Sequence, residues 1–462
     1  MKIGLLPLYL KLYDDTCEYA RPRVDSFLNV IARRLGELGL DVIGAPVCRI
    51  KPEFSSAVGY FEECGAEAIV TLHLAYSPSL ESVDALAGTK LPILVLDTTE
   101  SYAFDASVDS GNIMYNHGIH GVQDMCNMLL RRGKPFEIFA GHYEKSGVLE
   151  RIAAYCLGLE IAGAFRGARI GLAGEPFDGM GDFQVPFDDL KRDFGIEVIN
   201  YDFEAGGDLI SKVTDREMAH ERQADADFFE WDASVTDEVY GKSARVCLAL
   251  RKWTAGNRLA GMSVNFMAAS AEQPGLPVMP FTECCKLMAS GAGYAGEGDV
   301  LTAALCGAVL RAYPESTFTE MFCPDWKGGA VFLSHMGEFN YRICSGKPRL
   351  TEKDFPYTSA ANPIAAYGTY KPGYAVLINL LPRGNGKYTL ILAPGEVLPV
   401  SGKNMMADSV NGWFKPAMEL TSFLESYSRA GGTHHSVLCY ADCIDAMTGF
   451  AANMGFDLTV LK

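Results

Sequence analysis

The sequence predicts an α/β protein with two open parallel-sheet domains followed by a β-rich, barrel-like C-terminal domain. In the first part of the chain, short apolar runs of strand length alternate with runs of helical periodicity, which is typical of βαβ units. Towards the C-terminus the helical periodicity fades, and alternating strand patterns with turn signals replace it. From these changes we predict three domains, at residues 1–167, 168–315 and 316–462.

The N-terminal domain is predicted from apolar runs such as KIGLLPLYL, AIVTLHLA and LPILVLD, each followed by a helical stretch. His73 lies near the end of one predicted strand, and His117 and His120 precede a predicted helix. Ligands bind open α/β sheets beyond the carboxyl ends of the strands, so these histidines are binding candidates. A solvated or structural histidine is the more ordinary interpretation. No GxGxxG pattern occurs, and no dinucleotide site is predicted.

The central domain begins at the strand pattern ARIGLAG and is again α/β. Its first loop, EPFDGMGDFQ, contains Gly179 and Gly181 and occupies the position at which a substrate loop is expected. The acidic residues Asp215, Glu217 and Glu221 of a later helical stretch are predicted to form a solvated helix face.

The C-terminal domain is predicted from alternating strands. YAVLINLLP and YTLILAP flank the turn sequence RGNGK, which indicates a β-hairpin. The run AVFLSHMGEF is a further predicted strand. We expect a small barrel that ends in the helix CIDAMTGFAANMG and the strand FDLTVLK.

Composition excludes several classes of partner. The 462-residue chain has 40 basic and 57 acidic residues, a net charge of −17, so neither nucleic acid nor an anionic membrane is expected to bind. No signal peptide and no apolar run of about 18 residues is recognised. The 13 cysteines lack CxxC spacing, which is typical of reduced thiols in a cytoplasmic protein.

A set of carboxylates and imidazoles carries the chemistry, namely Glu297, Glu320, His335 and the adjacent pair His434 and His435. Such a mixed set suits one divalent cation and leaves coordination positions open for a substrate. The separations between these residues far exceed those of structural zinc sites, so the ligands must come from separate elements. This pattern favours a catalytic site.

Other interpretations of single residues stay open. Glu297 lies just before Asp299, the predicted N-cap of the helix LTAALCGAVLRA, and a capping acid explains Glu297 as well as a metal ligand does. A lone strand histidine such as His335 is more often a core residue. On a strand, His434 and His435 would face opposite ways, so that only one would point at a metal.

Four motifs resemble the L-arabinose isomerase and L-fucose isomerase superfamily and are closer to the L-arabinose isomerase branch. They are AGEGD (295–299), F-x-E (318–320), SHM-x-E (334–338) and AGG-x-HH (430–435). Weaker counterparts follow in order along the chain, namely LH…SP (72–78), N-x-x-x-HG (116–121), GHYEK…ERI (141–152) and FDGM (177–180).

This resemblance implies a metal-dependent aldose-ketose isomerase that acts on an open-chain sugar through an enediol. The implied ligands of a divalent metal, most commonly Mn²⁺, are Glu297, Glu320, His335 and His435. The two glutamates are also the candidates for proton transfer.

The resemblance further implies how the substrate is held. The substrate-binding residues would be His120, His434 and Met180, with His120 supplied by a neighbouring subunit. The family therefore implies a homo-oligomer, a trimer or a hexamer, whose active sites are shared between subunits.

One departure concerns specificity. The L-arabinose isomerases carry Gln-His-Leu-Tyr-Gly beside the substrate, and residues 6–15 here read LPLYLKLYDD, so the resemblance does not define the sugar. Two other functions stay open, a metal-dependent aldolase or hydrolase acting on a sugar-derived substrate and a non-catalytic sugar-binding protein.

Overall fold

The computed structural model describes residues 1–462, which fold into two compact units, Met1–Leu159 and Glu160–Lys462. The first unit holds one parallel sheet, and the second holds a smaller parallel sheet and a large mixed sheet. The predicted fold class is therefore confirmed, whereas the domain boundaries predicted at residues 167 and 315 stay predictions. None of the helices combines the length and the hydropathy needed to span a bilayer.

The first unit alternates strands and helices. Its elements are β1 (Lys2–Leu8), α1 (Lys11–Thr16), α2 (Arg21–Glu37), β2 (Asp41–Gly44), α3 (Lys51–Glu63), β3 (Ala68–His73), α4 (Ser79–Gly88), β4 (Ile93–Asp97), α5 (Ile113–Asn116), α6 (Gly118–Arg131), β5 (Phe136–Ala140) and α7 (Val148–Phe165), which continues into the second unit. The strands form a parallel sheet in the order β2-β1-β3-β4-β5. Helix α2 buries Val24, Phe27, Ile31 and Leu35, whose spacing of three or four residues places them on one face.

The second unit begins with a four-stranded parallel sheet. Its elements are β6 (Arg169–Ala173), α8 (Phe187–Phe194), β7 (Glu197–Asn200), α9 (Phe203–Ser211), α10 (Asp215–Phe228), β8 (Glu230–Trp231), α11 (Asp237–Gly256), β9 (Gly261–Val264), α12 (Phe281–Ala289), β10 (Gly293–Gly296) and α13 (Val300–Ala312). The strand order is β10-β9-β6-β7. Helix α13 packs against this sheet and against strands of the mixed sheet, which explains why it is buried from Val300 to Leu310.

Helices α10, α11 and α12 share a buried ionic network that corrects one prediction. Asp215 and Glu217 keep contact with solvent, as predicted. Glu221 is buried, and its carboxylate pairs with Arg251 and Lys286. The prediction was wrong for Glu221 because this residue lies on the side of α10 that faces α11 and α12.

The C-terminal part of the second unit contains a closed barrel. Its elements are β11 (Ser316–Asp325), β12 (Ala330–Ser334), β13 (Arg349–Glu352), β14 (Ile364–Thr369), β15 (Gly373–Gly384), β16 (Lys387–Val397), β17 (Val410–Pro416), α14 (Leu420–Arg429), β18 (His435–Cys439), α15 (Ile444–Met454) and β19 (Asp457–Val460). Antiparallel pairing runs β16-β15-β18-β11-β12-β17 and returns from β17 to β16. The ring of six strands confirms the barrel-like prediction.

The predicted hairpin connects β15 to β16. Its two turn residues, Asn385 and Gly386, have φ values of 54° and 70°, which is the left-handed backbone that a two-residue turn of this kind requires.

Candidate metal centre

The register of the barrel strands brings together three of the four predicted metal ligands. Glu320 on β11 is paired with His435, the first residue of β18, and on its other side with Ser334, the last residue of β12. His335 follows Ser334 directly, so the predicted strand ends one residue before this histidine. Glu320 Oε1 lies 2.9 Å from His435 Nε2 and 3.5 Å from His335 Nε2. Antiparallel pairing thus places these side chains next to one another.

Glu297 reaches the same place from a strained turn between β10 and α13. Its φ of 62° lies in the left-handed region, which is uncommon for a glutamate and persists only where the surroundings hold it. Its amide donates to Val264 O at 3.0 Å, and its carbonyl accepts from Phe177 N at 2.9 Å. A Cβ on the preceding Gly296 would lie 2.7 Å from Cε1 of His335, so only glycine lets this ring approach. Strain held in this way is typical of a functional position.

His434 completes a group of four side chains. The ligand atoms of Glu297, Glu320, His434 and His435 all lie within 4.8 Å of one another. His434 Nε2 is 3.9 Å from Glu297 Oε2 and 3.8 Å from Glu320 Oε1. The expectation that the two adjacent histidines face opposite sides is wrong, because β18 begins at His435 and strand alternation does not extend to His434.

Buried carboxylates lie beside the Nδ1 atoms of the His335 and His435 imidazoles, on the side away from Glu320. Asp299 Oδ2 accepts a hydrogen bond from His435 Nδ1 at 2.9 Å, while its other oxygen caps α13 as predicted. Glu338 Oε1 lies 2.9 Å from His335 Nδ1 and also accepts from the Tyr294 hydroxyl at 2.8 Å. A carboxylate oxygen accepts this hydrogen bond, so Nδ1 of His435 carries the proton. The Nε2 atoms face the carboxylate of Glu320, where they can act as ligands.

The pKa values of the group separate its carboxylates from its imidazoles. Burial raises the pKa of Glu297, but the neighbouring His434 and His435 lower the pKa by more than burial raises it, to about 2. Burial likewise raises the pKa of Glu320, and the adjacent imidazoles bring it well below its usual range. Burial lowers the pKa of His434, whereas Asp182 and Glu297 raise it to about 9. With no cation bound, the carboxylates are therefore ionised and His434 holds a second proton.

The group fits a divalent cation. Two ionised carboxylates offset the charge of such an ion, and a mixed set of oxygen and nitrogen donors suits a six-coordinate metal such as Mn²⁺. Glu297 Oε2 is buried and has no hydrogen-bond partner in the protein. A cation would provide the missing partner, since buried polar atoms without one are rare.

Comparison with known proteins places this centre in a family. Residues 315–457, which supply Glu320, His335, His434 and His435, match the family model of the L-arabinose isomerase C-terminal domain. The L-arabinose isomerase of Nocardioides sp. is 25% identical over 406 residues, which are 84% of this chain and 78% of that protein. The chain is therefore similar to the L-arabinose isomerases over most of its length.

Two further L-arabinose isomerases show similarity of the same extent. The L-arabinose isomerase of Acidothermus cellulolyticus is 23% identical, and the matched region covers 95% of this chain and 91% of that protein. L-arabinose isomerase 1 of Bacillus licheniformis is 23% identical, and the matched region covers 87% of this chain and 81% of that protein. A solved periplasmic solute-binding protein of Actinobacillus succinogenes with bound D-allose covers 67% of this chain and 91% of its own at 12% identity. Its TM-score is 0.18.

The substrate-binding residues that the L-arabinose isomerase branch implies lie in different places. His434 belongs to the group of four, and Met180 lies half-buried in the loop between β6 and α8. His120 lies in the first unit near the start of α6, with its ring centroid 5.8 Å from that of His117. His73, at the end of β3, is buried, and burial lowers its pKa to about 3, so that this imidazole is neutral.

Sequence reasoning missed two residues beside the centre. Asp182 binds His434, and the ring of Phe183 stacks on that of His435 with centroids 4.9 Å apart and an interplanar angle of 11°. Both lie in the loop that the glycines mark as a substrate loop. No local signal reveals their role, since His434 lies 252 residues away along the chain from Asp182.

Proposed function

We propose that the protein is a metal-dependent aldose-ketose isomerase that acts on an open-chain sugar by proton transfer through an enediol. The relatives that support this class of reaction are named L-arabinose isomerases. The proposal depends most on the convergence of Glu297, Glu320, His434 and His435, next to which His335 also faces Glu320. Two carboxylates and two imidazoles in one place can hold a cation and also move a proton.

In this proposal Glu297, Glu320, His335 and His435 hold the cation, which we expect to be Mn²⁺. A divalent ion bound there would polarise the carbonyl and the neighbouring hydroxyl of the sugar, which makes the adjacent carbon-bound proton easier to remove. His434, whose Nε2 faces both glutamates, remains to contact a sugar hydroxyl.

Proton transfer between C1 and C2 of the sugar requires a base and an acid, and we assign these roles to Glu297 and Glu320. Both carboxylates are ionised in the isolated protein. The one nearer the edge of the bound sugar would accept the proton from C2 and return it to C1. The other would take the hydroxyl proton from O2 and pass it to O1, so that both carboxylates end the reaction ionised, as they began it. The carbon skeleton stays intact, and no water is consumed.

The remaining parts of the proposal concern assembly and specificity. Met180 and His434 would contact the sugar within one chain, and His120 would contact it from a neighbouring subunit. We therefore propose a homo-oligomer, a trimer or a hexamer, located in the cytoplasm. Residues 6–15 differ from the family motif beside the substrate, so the sugar is to be found by screening pentoses, 6-deoxyhexoses and acidic hexose derivatives.

The decisive variant is Glu297→Gln, which removes a charge while keeping the shape of the side chain. A positioned acid or base contributes roughly 10²- to 10⁴-fold to rate, so we expect turnover to fall by at least about 10²-fold with little change in thermal stability. The matched control is Glu425→Gln, since Glu425 is exposed and pairs only with Arg429 one helical turn away. Wild-type turnover in Glu297→Gln would remove this residue from catalysis.

Product analysis and metal exchange test the rest. Conversion of an aldose into the ketose with the same number of carbons supports the proposal, and release of a shorter carbon fragment would indicate an aldolase instead. Treatment with a chelator should abolish turnover, and Mn²⁺ should restore it. Zn²⁺ should restore less activity, because Zn²⁺ favours four ligands rather than six. Full activity after complete metal removal would contradict the metal-dependent mechanism.

A further inference from the structure

One oxygen atom of Asp182 binds both the backbone and the side chain of His434. Oδ2 accepts a hydrogen bond from the His434 amide at 3.0 Å and another from Nδ1 of the ring at 2.6 Å. Because a single acceptor holds two points of the same residue, the rotation of the ring about its side-chain bonds is restricted. The ring is therefore oriented before any substrate arrives.

This orientation decides what His434 offers to the candidate centre. A carboxylate only accepts hydrogen bonds, so Nδ1 is the donor and Nε2 is the atom left for other contacts. Nε2 lies 3.9 Å from Glu297 Oε2 and 3.8 Å from Glu320 Oε1, at the edge of the group of four. The His434 side chain is 36% exposed, so its free edge remains reachable by a small molecule.

The loop that carries Asp182 is held by contacts that do not involve His434. It lies in the loop between β6 and α8 (residues 174–186), whose Phe177 amide donates to the carbonyl of Glu297 at 2.9 Å. Asn265 Nδ2 donates to the Glu175 carbonyl of the same loop at 2.7 Å. The loop is thus attached to the backbone segment that carries one of the candidate catalytic carboxylates.

The backbone of the loop also fits closely against the turn that follows Glu297. Gly298 has a φ of 86°, and a Cβ there would lie 2.5 Å from the Cα of Pro176. Phe183, one residue after Asp182, is buried against the ring of His435. Contacts on both sides of Asp182 therefore hold this part of the loop against the centre.

We propose that Asp182 is a positioning residue for substrate recognition. It directs Nε2 of His434 towards a hydroxyl of the bound sugar, so that the loop at residues 174–186 contributes to sugar binding without a direct contact from Asp182. This inference rests on the proposed isomerase function.

The structural test uses crystal structures of the metal-free wild-type protein and of Asp182→Ala, and it requires no activity. We expect the His434 ring to rotate in the variant, so that Nε2 is no longer close to Glu297 and Glu320. Asp182→Asn should keep the wild-type ring, because its amide oxygen can accept both hydrogen bonds. A ring that is unmoved in Asp182→Ala would overturn the positioning role, whatever reaction the enzyme catalyses.

The kinetic test is a double-mutant cycle with His434→Gln, measured with the sugar that gives the highest turnover. Loss of a carboxylate that orients an active-site imidazole costs about 10- to 100-fold, and we expect this loss in kcat/KM of Asp182→Ala, mainly through KM. Asp182→Asn should recover most of it. In the His434→Gln background, Asp182→Ala should cost less than about twofold, because its effect acts through the histidine.

The matched control is Asp188→Asn, an exposed carboxylate on α8 just outside the loop, which should leave kcat/KM unchanged. Additive losses in the cycle would overturn the inference, since they would show that Asp182 acts on the loop and not through His434. A rotated ring with an unchanged kcat/KM would likewise overturn the recognition role. Absence of isomerisation with every sugar would instead refute the proposed function, and the crystallographic result would still decide the positioning of the ring.

Discussion

Gly296→Ala tests whether the close approach of His335 to the backbone of β10 is required. The new Cβ would lie 2.7 Å from Cε1 and 3.0 Å from Nε2 of the imidazole. Carbon atoms in contact prefer roughly 3.5–4.0 Å, so the ring has to retreat by about 1 Å. Retreat is opposed by Glu338 at 2.9 Å from Nδ1 and by the Phe318 ring, whose centroid is 4.8 Å from that of His335. The substitution therefore displaces a predicted metal ligand from its supports.

The expected effect is large on function and moderate on stability. A misplacement of about 1 Å costs roughly 10²-fold in rate, and overpacking a core costs about 1–3 kcal/mol. Gly296 has no left-handed φ, so alanine adds no backbone strain of that kind. Steady-state isomerisation measures the loss of rate, calorimetric titration measures the loss of Mn²⁺ affinity that follows from the displaced ligand, and thermal unfolding measures the loss of stability. Gly241→Ala, in an open position of α11, is the control. Wild-type turnover and Mn²⁺ affinity in folded Gly296→Ala would refute the reasoning.

Two further predictions concern charge. Lys286→Met removes a cation that pairs with the buried carboxylate of Glu221, so the free energy of unfolding in denaturant should fall by about 3–5 kcal/mol. The control is Lys242→Met, which removes an exposed ion pair within one helix and should lower the free energy of unfolding by less than about 1 kcal/mol. Equal losses in both variants would contradict the argument. With no cation bound, burial lowers the pKa of His335 and of His434, but nearby carboxylates raise them to about 10 and about 9. Binding of Mn²⁺ must displace the proton from Nε2 of His335. The affinity for Mn²⁺, measured by calorimetry, should therefore rise by about tenfold per pH unit for each proton released as the pH increases from 6 to 9. An affinity that does not change with pH would show that no proton is displaced.

The residues of the candidate centre can be found from the sequence because each carries a local signal. Glu297 lies between two glycines and just before a helix N-cap, and His434 and His435 form an uncommon adjacent pair. Their arrangement is not local. The pairing of Glu320 with His435 joins strands more than a hundred residues apart, and the closure of the barrel sets its register. Periodicity predicts that such strands exist, but it does not predict which residues face each other.

Local rules also fail where an element boundary falls inside a motif. Alternation along a strand predicts opposite directions for His434 and His435, yet the strand begins between them and both rings turn towards Glu320. Asp182 is less accessible to prediction, since its only relevant partner is brought close by the tertiary fold.

Buried charge alone does not distinguish the candidate centre from the rest of the second unit. A cavity of about 460 Å³ lies beside the ionic network, and Glu221, Arg251 and Lys286 line it. In that network, guanidinium and ammonium groups neutralise the carboxylates. Burial lowers the pKa values of Arg251 and Lys286, but nearby carboxylates raise them by more, so that both cations keep their protons. Glu297 and Glu320 are instead neutralised by imidazoles, which can lose a proton and become ligands. The second arrangement can exchange protons for a metal cation, and this difference in chemistry favours the centre over the cavity as the site of the proposed reaction.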